Sequence, residues 1–368
     1  MLMASFLSGI FTAGLAAFRG GSDAMQTSTS TKAEQTGEQA AILNSNEGDI
    51  LRKCWRLEQA GRISELCRVE EPLPAPGAGE VRVKVKAIGL NMADIFAILG
   101  LYGATPQGSF IPGLEYSGVV DALGPPDTTS SPFPSSTIKA GDPVYGFTRF
   151  GAYASHLNVP LAYVRPLPSS FSFAQGAAFI VQGLTAWHAM IELGNLKKGQ
   201  TVLVHSAAGG VGCFALEICA KFQAFPIATI GSETKRAFLQ SRFGLNDGQI
   251  VVREKEDRKF ARQLKDAVRG KSGRNRVGER ARGSHEMQEK EDGGFDLILD
   301  ALGGMYFKEG YKQLARGGRM ITFGAADYLS PTDGPNWWKI IPRYLTRPRL
   351  DPGDMCAENR GVLGFNLI

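Results

Sequence analysis

The spacing of apolar residues changes character near Phe173. On the C-terminal side, short apolar runs alternate with segments whose apolar residues recur every three to four positions. Thr201-Val-Leu-Val204 is short and wholly apolar after its first residue, as expected of a strand buried on both faces. A Gly-rich turn follows at Ala207–Gly212, and then Val211, Ala215, Ile218 and Phe222 recur at helical spacing. The same alternation predicts a second strand at Pro226–Ile230, a helix at Lys235–Phe243, a third strand at Gln249–Val252 and a helix at about Asp257–Val268. A fourth strand at Phe295–Asp300, a helix near Met305–Ala315, a fifth strand at Arg319–Gly324 and a further one at Val362–Ile368 complete the series. Strands alternating with helices at this spacing predict an α/β fold with a doubly wound parallel sheet.

Before Phe173 the pattern is different. Glu80-Val-Arg-Val-Lys-Val-Lys-Ala-Ile88 alternates singly, the mark of a strand with one buried face. Pro72, Pro74, Pro76, Gly77 and Gly79 punctuate the chain ahead of it. Gly113–Asp121 and Asp142–Phe147 read as two more short strands, with a Pro/Ser/Thr loop at Pro125–Ser136 between them. Residues 50–172 therefore read as a β-rich, barrel-like domain, and residues 173–368 as a nucleotide-binding domain of the Rossmann type. The charged, aperiodic stretch 269–294 reads as a solvated insertion.

Composition alters this picture little. A chain of 368 residues is long enough for two domains, and 43% apolar with 21% charged residues is ordinary for a globular protein. The net charge of +5 is mild and much of the basic content sits in one stretch, so no nucleic-acid partner is expected. Five scattered cysteines (Cys54, Cys67, Cys213, Cys219, Cys356) have no metal-like spacing and read as reduced thiols. No internal stretch approaches the roughly 20 apolar residues needed to span a bilayer. Residues 1–19 are apolar and acid-free, whereas 20–48 are rich in Gly, Ser, Thr and Gln. Two readings of 1–48 stand. One is a disordered tail on a cytoplasmic protein; the other is a mitochondrial or plastid presequence, against which Arg19 as the lone arginine counts.

The glycine turn carries the first chemical signal. Strand, turn and helix start together suit a dinucleotide pyrophosphate, because helix N–H groups point at the anion and small residues let it approach. The end of the second strand selects the dinucleotide. Here it runs into Gly231-Ser-Glu-Thr-Lys235, where Ser232 and Lys235 can donate to a 2′-phosphate. That favours NADPH. Glu233 is the contrary feature, and a bland alternative is that Ser232 merely caps a helix and Lys235 is simply exposed.

Several motifs in order carry a family resemblance: Asn91-Met-Ala-Asp94, Gly100-Leu-Tyr102, Pro112-Gly-Leu-Glu115, Ala140-Gly-Asp142, Gln182-Gly-Leu-Thr-Ala186 and Ala207-Ala-Gly-Gly-Val-Gly212. The chain over 50–368 resembles the zinc-free, zeta-crystallin-like quinone oxidoreductases of the medium-chain dehydrogenase/reductase superfamily. Within them, Trp337-Trp338 and Gly364-Phe-Asn366 look most like the vesicle amine transport protein branch. The resemblance implies a GroES-like first domain and a hydride transferred from NADPH to a small apolar quinone or enone. Zinc-dependent members have a metal-binding cysteine where this chain has Asn91, and Gly-His-Glu where it has Gly113-Leu-Glu115, so no metal is expected.

The same resemblance implies roles for particular residues. Asn91 would orient the substrate or donate to an oxyanion, and Tyr102 would line the cleft as a hydrogen-bonding gate. Their bland counterparts are a turn residue and a half-buried core aromatic. Thr185 would approach the nicotinamide phosphate, Ala208, Gly209, Gly210, Val211 and Gly212 the pyrophosphate, and Leu302, Gly303, Phe323 and Gly324 would border adenine and nicotinamide. His188 and His205 read as packed residues, His156 and His285 as surface ones, and Cys213 as an inert thiol. A homodimer and peripheral membrane association are expected. Family members continue for some tens of residues past Val362–Ile368, so two readings stand, a fragment of a longer chain or the loss of a piece that closes the cleft, and weakened cofactor binding and turnover are expected from either. A second function stands beside the reductase: a non-catalytic NADPH-binding interaction protein at a vesicle or organelle surface.

Overall fold

The computed structural model describes residues 49–127, 138–279, 293–329 and 332–367, with side chains described only to 269 in the second stretch. The tail at 1–48, most of the Pro/Ser/Thr loop and His285 lie outside them. The chain opens with an antiparallel pair that the alternation did not announce, β1 (Ile50–Arg56) and β2 (Cys67–Leu73). Glu71 holds both Arg52 and Arg56 across it. Next come β3 (Glu80–Ile88), α1 (Met92–Ile98), β4 (Glu115–Leu123), β5 (Pro143–Phe147), β6 (His156–Pro160) and β7 (Val164–Pro166). They form a five-stranded antiparallel sheet in the order β6-β3-β4-β5-β7.

Val81, Val83, Tyr116, Val120, Val144, Leu157 and Val164 fill the core of this sheet. The single alternation in β3 holds for the valines, yet Arg82 on the opposite face is also buried. It is tolerated there because its Nε lies 2.7 Å from the Asp121 carboxylate. Gly118 permits the pairing of β3 with β4, since a Cβ there would stand 2.2 Å from the Lys84 carbonyl oxygen.

The second half starts with α2 (Phe173–Ala177) and α3 (Ile180–Trp187), the latter widening into a π-helical turn over His188–Leu193. Then β8 (Thr201–Val204), α4 (Gly210–Lys221), β9 (Phe225–Ile230), α5 (Arg236–Phe243), β10 (Ile250–Val252) and α6 (Asp257–Glu279) follow. The chain continues with β11 (Phe295–Asp300), α7 (Gly304–Lys312), β12 (Leu314–Thr322), α8 (Trp337–Leu345), α9 (Pro352–Glu358) and β13 (Gly361–Gly364). All six strands are parallel, in the order β10-β9-β8-β11-β12-β13. The order reverses between β8 and β11, which opens a crevice beyond their C-terminal ends.

Alternate residues of the strands feed two cores. Val202, Val204, Ala228, Ile230, Leu297 and Leu299 pack with Ala215, Leu216, Ile218 and Cys219 of α4 on one face. Leu203, Ile227, Ile298 and Met320 pack with Phe260 and Leu264 of α6 on the other. The central positions of the inner strands are apolar in succession because both faces are covered.

Three expectations need correction. The stretch 269–294 is not irregular throughout, because α6 runs on to Glu279. Apolar periodicity reports packing, and a helix can continue past the residues that pack because propagation adds one hydrogen bond per residue. The helix expected to reach Ala315 stops at Lys312, and β12 begins at Leu314, which is buried opposite Phe295. The last strand ends at Gly364 rather than Ile368: Phe365 leaves the ladder to stack on Phe323 and His188. Phe260, fully buried between β8, β9 and the Tyr306 ring, tests the second core. A Phe260→Ala change is expected to cost about 3–5 kcal/mol in urea unfolding; a loss below about 1 kcal/mol would show that α6 does not brace the sheet.

Candidate active site

The candidate residues fall into two groups, one from each half, linked through the start of α3, where the Val181 N–H meets Glu115 and the Gln182 amide packs against Gly210. The first is built on the turn after β3. Asn91 starts α1, and its backbone N–H donates to the Asp94 carboxylate at 2.9 Å, an N-terminal capping arrangement. Its side-chain amide is not idle in a turn: Nδ2 donates to Glu115 Oε1 at 2.9 Å. The second Glu115 oxygen accepts from the Val181 N–H at the start of α3, also at 2.9 Å. Glu115 thereby ties β4, the Asn91 turn and α3 together. The packing is close, since a Cβ on Gly89 would stand 2.3 Å from Glu115 Oε1 and 2.5 Å from the Ala177 carbonyl oxygen.

Burial dominates the electrostatics here. Desolvation pushes the Glu115 carboxyl up to about 7, although Asn91 and Val181 both favour the anion and Asp94 opposes it. Asp94 is pushed up to about 6 by burial, against the donors Asn91 and Tyr153, whose hydroxyl lies 3.0 Å from Oδ2. Both carboxyls are thus held above the ordinary carboxylate range by burial. Tyr102 is half-buried, and its hydroxyl donates to Asn366 Oδ1 at 2.7 Å, joining the first sheet's periphery to the segment after β13. Among the described residues, no group of three or more His, Cys, Asp or Glu is arranged to hold a metal.

The second group lies at the ends of the parallel strands. Ser206 takes φ +53°, and Gly209 precedes the first turn of α4. The first bond of that helix that closes on the turn runs from Cys213 N–H to the Gly209 carbonyl, so the earlier N–H groups have no intrahelical acceptor. Gly209 and Gly210 are exposed, whereas Ala207 and Gly212 are buried beneath them. Side chains are excluded here: a Cβ on Gly210 would collide with the Gln182 amide, and one on Gly212 would stand 2.5 Å from the Ser206 carbonyl oxygen. This helix start fits an anion. Cys213 beside it is not activated, because burial raises its thiol. His205, at the end of β8, is buried and pushed down to about 3 by desolvation, then by the Arg253 charge, and is a packed residue as expected.

At the end of β9, Ser232 caps a 3₁₀ turn over Glu233–Lys235, so the bland reading of that serine is realised. Glu233 is drawn aside: Arg236 takes both of its oxygens in a bidentate pair. Lys235 remains exposed. A second cation, which the sequence pattern did not reveal, stands at this corner. Arg253, just past β10, packs its guanidinium against Gly231, bonds Thr229 Oγ1 at 3.2 Å and sits over the Tyr306 ring at 5.5 Å. The signal that could have found it is a basic residue directly after the third strand. An open groove of about 780 Å³ along edge strand β10 shares Glu233 and Arg253 with this corner, but no residue of the glycine turn lines it.

The remaining residues expected around the crevice fall at strand ends. Asp300 Oδ1 accepts from the N–H groups of Leu302 and Gly303, both at 3.0 Å, and shapes that turn. Gly303 takes φ +74°, and Gly324 lies so near Ala301 that a Cβ would stand 2.7 Å from its carbonyl oxygen. Phe323 stacks with Phe365 at 5.7 Å. Thr185 is buried, and its hydroxyl donates to the Val181 carbonyl at 2.7 Å, one helical turn back.

Comparison with known proteins bears on this geometry. Residues 77–169 match the alcohol dehydrogenase GroES-like domain, and residues 210–346 the zinc-binding dehydrogenase domain. Over 296 residues the chain is 30% identical to the rat synaptic vesicle membrane protein VAT-1 homolog (Rattus norvegicus), covering 80% of this chain and 64% of that protein. A mycobacterial protein solved in complex with NADPH shares 26% identity and superposes with a TM-score of 0.65, covering 86% of this chain and 81% of the other. A Pseudomonas syringae quinone oxidoreductase also shares 26% identity, with a TM-score of 0.64 and coverage of 86% and 82%.

The buried carboxyls give a pH signature. A carboxyl whose folded pKa is raised retains its proton while the unfolded chain loses it, so its contribution to stability falls as pH rises from about 4.5 toward 7. Glu115→Gln removes that titration while keeping one acceptor for Val181; Asn91 then turns its amide. Urea melts are expected to show the variant gaining on the wild type by on the order of 2 kcal/mol between about pH 5 and pH 8. Parallel profiles would mean that Glu115 titrates normally.

Proposed function

The chain belongs to the medium-chain dehydrogenase/reductase superfamily, in the quinone-oxidoreductase-like group near the VAT-1 homologues, and from that premise we propose a zinc-independent, NADPH-dependent reductase of quinones or α,β-unsaturated carbonyls. The observation that carries the reading is the pairing of an exposed, side-chain-free helix start with a cationic corner whose acid is already neutralised. At that helix start, the N–H groups of Gly210, Val211 and Gly212 would receive the pyrophosphate. Ala208 and Gly209 would leave room for it. Ser232 and Lys235, joined by Arg253, would receive the 2′-phosphate, with Glu233 held off by Arg236. The turns at Leu302–Gly303 and Phe323–Gly324 would flank the rest of the dinucleotide, and Thr185 the nicotinamide side.

Bound there, NADPH supplies the hydride. The protein's part is to orient the acceptor, to stabilise the oxyanion that develops, and to deliver one proton. Asn91 is suited to stabilising the oxyanion. One of its amide N–H groups is engaged by Glu115, which fixes the plane of the amide and leaves the second N–H as a donor. The Tyr102 hydroxyl, by exchanging Asn366 for the substrate, would be a second donor at the mouth. An acceptor that is already electrophilic needs no Lewis acid, and an asparagine stands where zinc-dependent relatives place a ligand. Glu115, whose carboxyl burial raises to about 7, would hold the Asn91 amide from behind, and the proton would come through the Tyr102 hydroxyl at the mouth.

The second reading, an NADPH-binding protein without turnover, draws on a different observation: α8 turns its apolar side chains to solvent, as an interaction protein would. The match spans only 64% of the rat protein's length. Two measurements decide between them. NADPH consumption with a panel of quinones and enones is expected to show turnover, and Asn91→Ala to lower kcat by about 10²–10³. Tight NADPH binding with no consumption on any acceptor would favour the non-catalytic reading. Lys235→Ala is expected to weaken NADPH roughly 10- to 100-fold while leaving NADH nearly unchanged; equal losses for both would refute the 2′-phosphate assignment.

A further inference from the structure

The first turn of α3 serves both halves of the site. Its Val181 N–H donates to Glu115, and the next residue, Gln182, lays its side chain across the start of α4. A Cβ on Gly210 would overlap the Gln182 amide and stand 2.8 Å from Nε2, so the amide rests on bare backbone where α4 begins. Packing one residue on holds it there: Gly183 lets α3 approach α4, with the place of its missing Cβ 3.6 Å from the Phe214 ring. Gln182 is half-buried while Gly209 and Gly210 are exposed, so the amide stands at the edge of open space and not within the core.

The hydrogen bonds of α3 single out this side chain. Thr185 lies on the same face, three residues on. Its hydroxyl proton is already committed to the Val181 carbonyl at 2.7 Å, so towards a ligand Thr185 can only accept. The Gln182 amide, by contrast, has no hydrogen-bond partner among the described residues. An amide held half out of water without a partner carries a desolvation cost that a ligand would remove. We propose that Gln182 is a side-chain donor to the cofactor's pyrophosphate, reaching it from α3 while the N–H groups of Gly210 and Val211 reach it from α4; this rests on the NADPH reading above. A half-turn of the amide presents its NH2 to an anion, so the donor end is at hand in either orientation. Val181 of the same turn holds Glu115, and Glu115 holds the Asn91 amide, so one element sets the dinucleotide against the oxyanion donor.

The test is calorimetric titration of the full chain with NADPH, NADH and adenosine 2′-monophosphate, with no acceptor present, so that it reads binding and not turnover. Gln182→Met keeps the volume and removes the donors; Gln182→Glu keeps the shape and adds a negative charge. Both are expected to weaken NADPH and NADH alike, by roughly tenfold for methionine and more for glutamate, and the glutamate loss should shrink as salt is raised. Adenosine 2′-monophosphate, which has the 2′-phosphate and no pyrophosphate, should bind both variants as it binds the wild type, and melts of the unliganded proteins should coincide. If methionine lowers the melt, the salt dependence of the glutamate variant decides. Wild-type affinity for both dinucleotides in either variant would overturn the proposal and leave Gln182 a packing residue on Gly210. A loss confined to NADPH would overturn it too, by moving Gln182 to the 2′-phosphate. Failure of the wild type to bind either dinucleotide would instead bring down the cofactor reading itself, and this assignment with it.

Discussion

The site in the first half of the protein depends on burying one carboxyl, that of Glu115. A buried acid without donors is costly, and here two N–H groups from two different elements meet it. Those donors are what join the Asn91 turn to α3, so the acid acts as the bolt between the antiparallel sheet and the helix leading into the parallel one. The fit constrains its neighbours: Gly89 has to be glycine because the carboxylate and the Ala177 carbonyl occupy the space of a Cβ. Asp94 is a less complete case, since Tyr153 and the Asn91 N–H both donate to Oδ2 and Oδ1 is buried without a partner among the described residues. The amide of Asn91 is therefore oriented from behind by Glu115 while its backbone is fixed by Asp94.

The nucleotide half depends on a different constraint, the absence of side chains. The glycines of the turn before α4 leave backbone N–H groups open to solvent, and packing by Gln182 and the Ser206 carbonyl enforces that absence from within. The two halves are brought to face one another by Tyr102–Asn366 and Ser64–Asp333, contacts between residues far apart in sequence.

Much of this was legible in the chain. The six parallel strands were marked by runs too short for helices and mostly apolar, since a strand covered on both faces need not alternate. The β1–β2 pair was not, because its burial is slight and its hold is the Arg52–Glu71–Arg56 cluster, which has no periodic signature. Glu115 was visible only as part of a motif, and nothing local tells a buried acid from a surface one. Arg253 was missed because its place beside Gly231 follows from the pairing of β10 with β9. Ser232 was correctly suspected of capping, and Glu233, the contrary feature, proves to be engaged by Arg236 three residues on.

By itself the sequence determined the elements: which segments are strands, where the glycine turn sits, and which short motifs surround it. These follow from local rules, namely the periods of helix and strand and the steric freedom of glycine. Only the tertiary structure decided which of the polar residues are desolvated and which face water. Burial raises the carboxyls of Glu115 and Asp94, and exposure leaves the apolar stripe of α8 unpaired. Neither can be read from one segment, because a residue's solvation is set by the elements that fold against it from elsewhere in the chain.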